Sequence, residues 1–138
     1  MRIRPGVAAA AMLAVSAVLA QAPRSVLDGA FTAEQVKRGE AVSQKECVNC
    51  HGAALSGGEE APALEGGAFL SNWTGLTVGD LYERIRSTMP QDDPTRLNRQ
   101  QDADVVAYIL NLNHYPAGKT ELPTQTEVLK QIKIEAAK

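Results

Sequence analysis

The chain has 138 residues, enough for one domain and too few for two. Fourteen basic residues stand against sixteen acidic ones, a net charge of −2, which excludes the basic footprint of a nucleic-acid binder. With two cysteines and two histidines, any metal or redox chemistry has to come from very few side chains.

The first twenty residues read separately. Arg2 and Arg4 precede an unbroken run of apolar and small residues from 7 to 20. A basic start, a short apolar stretch and small residues at its end describe a secretory signal. Val18 and Ala20 satisfy the small-residue rule for cleavage before Gln21. Ala20 and Ala22 would cut before Pro23, a poor residue there. The apolar run is short of the ~20 residues of a membrane-spanning helix, so the chain meets a membrane only if the segment is kept as an anchor. Removal of Arg2 and Arg4 leaves 12 basic residues against 16 acids, a net charge of −4. Export places the protein in the periplasm or outside the cell, where thiols meet an oxidising environment.

Residues 21–30 read as a leader. The stretch "TAEQVKRGEAVSQKEC" reads as the first helix, with Thr32 as its N-cap and Gln35 completing a capping box. Val36, Gly39, Val42 and Cys47 fall along one face. A glycine inside a helix costs ~1 kcal/mol relative to alanine, so Gly39 implies a close crossing by another helix. Residues 51–76 read as one long glycine-rich loop. A loop of that length in a small domain is unusual, unless it wraps a group that supplies the missing core. "TVGDLYERIRSTMP" reads as the second helix, capped by Thr77 and stopped by Pro90, with Leu81, Ile85 and Met89 on one face. "QDADVVAYILNLN" is the third, with Val105, Tyr108, Ile109 and Leu112 inward and Asp102 or Asp104 favouring its N-terminus. "TQTEVLKQIKIEAAK" reads as a last short helix with Val128, Leu129 and Ile132 inward. No strand pattern stands out. The expectation is an all-α domain of three main helices and a short C-terminal one, with only six aromatic residues in the chain to build its core.

"ECVNCHG", residues 46–52, holds both cysteines and His51. Three chemistries use such a cluster. Structural zinc needs four ligands, typically as two separated pairs, and no second pair exists here. A dithiol switch suits a C-x-x-C that opens a helix among strands, whereas this one closes a helix. C-x-x-C-H is the attachment pattern of c-type haem. Two thiols a turn apart reach two vinyl groups of one porphyrin, and the adjacent histidine reaches the iron. Iron so bound needs a sixth ligand or an open face, and methionine or histidine is the usual choice. Met1 and Met12 leave with the signal, so Met89 is the mature chain's one methionine. His114, in a polar turn, is the rival and reads as a surface histidine.

With these residues in place, residues 31–118 resemble the class I c-type cytochromes. The resemblance implies a cytochrome c fold around one covalently attached haem c. It implies thioether bonds at Cys47 and Cys50, and iron ligation by His51 and Met89. In "APALEG" it implies that the Pro62 carbonyl accepts the His51 Nδ1 proton and that Leu64 packs on the haem. Trp73 either donates to a haem propionate or is a core tryptophan. Tyr108 would pack against Gly39. The segments "FLSNWTGLTVGDLYERIRSTMP" and "DVVAYILNLNHYPAGKTELP" are most similar to small cytochromes that accompany quinoprotein dehydrogenases. The implied role is a one-electron carrier, not an enzyme. Its redox partners would be a dehydrogenase as donor and an oxidase or another cytochrome as acceptor. The alternative is a haem enzyme or sensor with an open sixth position. Residues 119–138 lie outside the resemblance, as an extension that packs on the domain or docks a partner.

Overall fold

The computed structural model describes residues 22–136. The secretory-signal reading of residues 1–20 lies outside them. Among the described residues no helix is long and apolar enough to cross a membrane.

The architecture is all-α. A 3-10 turn at Val26–Asp28 leads into α1 (Ala33–Glu46), α2 (Val48–His51), α3 (Gly66–Trp73), α4 (Val78–Thr88), α5 (Arg99–Leu112) and the single turn α6 (Thr126–Leu129). Local chemistry explains the starts. The Thr32 hydroxyl accepts from Gln35 N at 3.2 Å. Thr77 and Asp80 form a reciprocal capping box on α4. Asn98 and Gln101 do the same on α5, which therefore starts two residues before the expected 101. Each box satisfies backbone N–H groups that a helix start leaves free.

α1 and α5 cross in contact, and Gly39 is the reason they can. A Cβ there would lie 1.8 Å from the carbonyl oxygen of Asp104 and 2.9 Å from Tyr108 Cβ. The expected partner Tyr108 is present, but the tighter contact is with backbone. Beside the crossing, Arg38 grips the buried Asp104 carboxylate with two bonds of 2.9 and 3.0 Å.

Three expectations are corrected. The stretch 51–76 is not one loop: its second half forms α3, whose Phe69 is fully buried. The paired glycines at its start hid the helix. Nor does the loop lack apolar anchorage, since Leu55 is fully buried. The last helix is one turn long; beyond it Lys133 makes isolated bridges to Ser25 and Thr77. Leu129 and Ile132 point inward as expected, while Val128 is exposed.

The segments on either side of 31–118 join the same core. Val26 and Ala30 from the leader, and Leu122, Leu129, Ile132 and Ile134 from the extension, pack with Tyr82, Val106 and Leu110. Buried Gln35 holds both backbone polar groups of Leu122, donating to its carbonyl at 3.1 Å and accepting from its N–H at 2.8 Å. The leader and the extension also pair with each other through backbone, Lys133 N on Arg24 O and Val26 N on Lys133 O, which hydropathy does not record.

Candidate functional site

The end of α1 and the turn α2 place the cluster. Cys47 closes α1 through its N–H to Ser43 O, 2.9 Å. His51 N returns to Cys47 O at 3.0 Å, so the two cysteines and the histidine sit on a single tight turn. His51 is buried, Cys50 is exposed and Cys47 lies between; neither cysteine is in a disulfide. Burial is the main influence on the Cys47 thiol and pushes its pKa up.

The loop after His51 doubles back beneath it. Gly57 N donates to His51 O at 2.8 Å, and Leu64 N donates to Leu55 O at 2.8 Å. The left-handed Gly52 (φ 85°) and Gly57 (φ 90°) allow the reversal, and a Cβ on Gly57 would meet Ala63 N at 2.7 Å. The reversal delivers the Pro62 carbonyl to His51 Nδ1 at 2.7 Å. A carbonyl only accepts, so Nδ1 carries the ring proton and donates it. Nε2 is then the bare nitrogen, the form in which imidazole binds metal.

One residue that holds this loop was missed in the sequence. Asn113, buried at the end of α5, donates to Leu64 O at 3.0 Å and to Ile109 O at 2.8 Å, and accepts from Gly66 N at 3.0 Å. An asparagine closing the apolar run "VVAYILNLN" was the available sign, since a buried amide must find partners.

These elements surround a cavity of about 970 Å³. That is at the upper end of the ~300–1,000 Å³ of small-molecule and cofactor sites. Its wall contains all seven residues singled out from the sequence: Cys47, Cys50, His51, Pro62, Leu64, Trp73 and Met89. Leu81 and Ile85 of α4 and Val105 and Ile109 of α5 add apolar surface. Trp73 lies 6.3 Å from the Phe69 ring, centroid to centroid. Met89 caps α4, its N–H on Ile85 O at 2.8 Å. His114 is exposed, at φ 64°, and is not part of this wall. The charged rim includes Lys45, Glu46, Glu60, Arg84, Asp92 and Arg96. Arg96 reaches Glu46, beside Cys47, at 3.1 Å and also pairs with Asp92, near Met89. It thus ties together the two segments that carry the sulfur donors.

The donor set discriminates among the chemistries. No group of three or more His, Cys, Asp or Glu suited to a metal ion occurs among the described residues, which disfavours a zinc cage. Two thiols on one turn, an imidazole with its Nδ1 proton fixed, and a thioether all line one largely apolar cavity. Those are the donors that a c-type haem requires.

Comparison with known proteins agrees. A family model described as cytochrome c oxidase, cbb3-type, subunit III matches residues 34–109. No curated protein matches. Among solved structures, a chain of the sulfane dehydrogenase SoxCD from Paracoccus pantotrophus is similar in fold, with a TM-score of 0.51 and 21% identity. The similarity covers 71% of the present chain and 52% of that chain, so the present chain spans about half its length.

Proposed function

We infer the function from one premise: the chain belongs to the cytochrome c family whose model spans residues 34–109, so it is a class I c-type cytochrome with an electron-transfer role. The finer reading is a periplasmic monohaem cytochrome c. It carries single electrons from a dehydrogenase of the quinoprotein type towards a terminal oxidase or another cytochrome.

The observation that carries this reading is the shared cavity wall of Cys47, Cys50, His51 and Met89, with His51 Nδ1 held 2.7 Å from Pro62 O. Haem c bound there supplies reversible one-electron exchange at its iron. The chain's own residues do the rest. Cys47 and Cys50 would hold the group through thioether bonds. His51 would bind the iron through Nε2, with the Pro62 carbonyl keeping it in that tautomer and raising its basicity. Met89 would bind the iron through its thioether, which would raise the potential relative to a second histidine. Leu64, Leu81, Ile85, Val105 and Ile109 would keep water from the site. With His51 and Met89 both engaged, substrate and dioxygen would be kept off the iron. Cys50 and Asn49 are exposed, so this is the face a redox partner approaches. The excess of acidic over basic residues, 16 against 14 in the whole chain, favours a partner with a basic patch and a salt-sensitive association rate.

The test is a haem stain of the protein from its native host after denaturing electrophoresis, followed by spectra with and without carbon monoxide. Covalent haem stays with the chain, and a methionine-ligated iron leaves the reduced spectrum unchanged by the gas. An unstained band would overturn the whole reading. A stained band whose spectrum shifts at once would support the haem enzyme or sensor instead.

A further inference from the structure

The extension after residue 118 has no part in holding a cofactor, yet it is built against the helix that carries Met89. α4 turns Leu81, Ile85 and Met89 towards the cavity. Its other side meets the extension. A Cβ on Gly79 would lie 2.6 Å from Lys130 N and 2.9 Å from Lys130 Cα, so the helix touches that chain backbone to backbone. One turn on, the Tyr82 hydroxyl donates to Thr124 O at 3.2 Å, and the Thr126 hydroxyl donates to the Glu83 carboxylate. The start of α4 is held as well. Val78 N donates to Ile132 O at 2.9 Å, and Ile134 N donates to Leu76 O at 2.9 Å.

We propose that residues 122–134 act as a clamp on the outer face of α4 that positions Met89, so that release of the methionine from iron is limited by loosening of this clamp. The reason is geometric. A helix moves nearly as a rigid rod, and Met89 is its C-cap. The first two turns of α4 are fixed by the extension. The end that bears Met89 is followed by the polar connection from Gln91 to Asn98. Any outward swing of Met89 must therefore lift α4 from Lys130 or bend it. Local openings of this kind are governed by the contacts that the moving element breaks, not by the stability of the whole domain. Gly79, Tyr82 and Thr126 are positioning residues in this scheme, acting through α4. The inference rests on the reading of Met89 as the sixth ligand.

The experiment uses the full haem-loaded chain. Exogenous imidazole is mixed with the ferric protein at room temperature, and the binding rate is followed together with the long-wavelength band of methionine-ligated ferric haem. Gly79→Val forces the backbone of Lys130 away. The Tyr82→Phe/Thr126→Val double variant removes the two side-chain bonds to the extension, and with them the longer contact of the Tyr82 hydroxyl to Arg99 O at 3.4 Å, without adding bulk, and decides the matter if Gly79→Val does not fold. Tyr108→Ala, buried in α5 against Gly39 and outside both the cavity wall and the core that the extension joins, serves as a control of general destabilisation. The expected result is a rate increased roughly tenfold in Gly79→Val and several-fold in the double variant, with a weakened band, while Tyr108→Ala stays within about twofold of wild type. Wild-type rates in both α4-facing variants, or an equal increase in Tyr108→Ala, would overturn the clamp. A wild-type protein without the band would overturn Met89 ligation itself, and the clamp with it.

Discussion

Gly39 and Asp104 meet so closely that the α carbon of the first can carry nothing more: a Cβ would stand 1.8 Å from the Asp104 carbonyl oxygen. The crossing of α1 and α5 is thereby set by backbone, with the Arg38 fork beside it. Relief would require the helices to move apart, which loosens the core behind them. Gly39→Ala is expected to lower stability by about 2–3 kcal/mol despite its better helix propensity. Thermal unfolding of the wild type and variant checks this. A variant as stable as wild type would mean that the helices separate freely.

Asn113 spans the end of α5 and the loop that reaches His51. Asn113→Ala leaves Leu64 O and Gly66 N without their side-chain partner. The expected cost is about 2–3 kcal/mol. Freed from α5, the loop holds Pro62 less firmly against His51. The reduction potential should shift along with the melting temperature. An unchanged potential in the destabilised variant would show that the Pro62 contact does not depend on Asn113.

Met89 is testable by replacement. Met89→His is expected to lower the potential markedly, because a second imidazole favours the ferric state relative to a thioether. Met89→Ala should open the site and let carbon monoxide bind the reduced protein. Voltammetry and a gas titration read these outcomes, and a Met89→Ala variant with the wild-type potential would remove Met89 from its role.

The thioether reading predicts a thiol count. The haem-loaded protein, unfolded in guanidinium chloride, should take up no alkylating reagent, because Cys47 and Cys50 are both spent. The haem-free chain should take up two equivalents when unfolded. When folded it should react first at exposed Cys50, since Cys47 is less accessible and burial raises its thiol pKa. Mass spectrometry after alkylation counts the adducts, and free thiols in the loaded protein would contradict covalent attachment.

Asp102 is a pH-dependent weakness. It is buried, its Oδ1 has no hydrogen-bond partner, and burial raises its pKa to about 6 from 3.8. Arg86 and Arg99 pull the other way, and Glu83 adds to the rise. The folded form binds this proton more tightly than the unfolded one, so the contribution to stability is full below the unfolded pKa. It is lost as pH climbs through the folded value. Asp102→Asn should match wild type near pH 4 and exceed it above pH 6 by on the order of 1–2 kcal/mol. Denaturant titrations across that range would show it, and a constant difference at all pH values would refute it.

By itself the sequence determined the chemistry and the framework around it. C-x-x-C-H is the attachment pattern of c-type haem, Met89 is the one methionine beyond residues 1–20, caps at Thr32 and Thr77 marked α1 and α4, and periodicity marked α5. Even the proline whose carbonyl meets His51 was legible, through the resemblance that "APALEG" carries. Only the tertiary structure decided what depends on distance between residues remote in the chain. α3 was hidden because "GGAFLSNW" starts on helix-poor glycines, and it is held by burial of Phe69 and by the amide of Asn113, 47 residues away. The leader showed no periodic pattern, and the C-terminal extension only the short apolar set Val128, Leu129 and Ile132. They belong to the core through backbone pairing of Lys133 with Arg24 and Val26, and of Ile132 and Ile134 with the residues around Thr77. Main-chain hydrogen bonds are the same for every residue type except proline, so they leave almost no trace in a sequence. Of the two glycines at close crossings, Gly39 was legible as an oddity inside a helix and Gly79 was not, because a missing side chain names no partner.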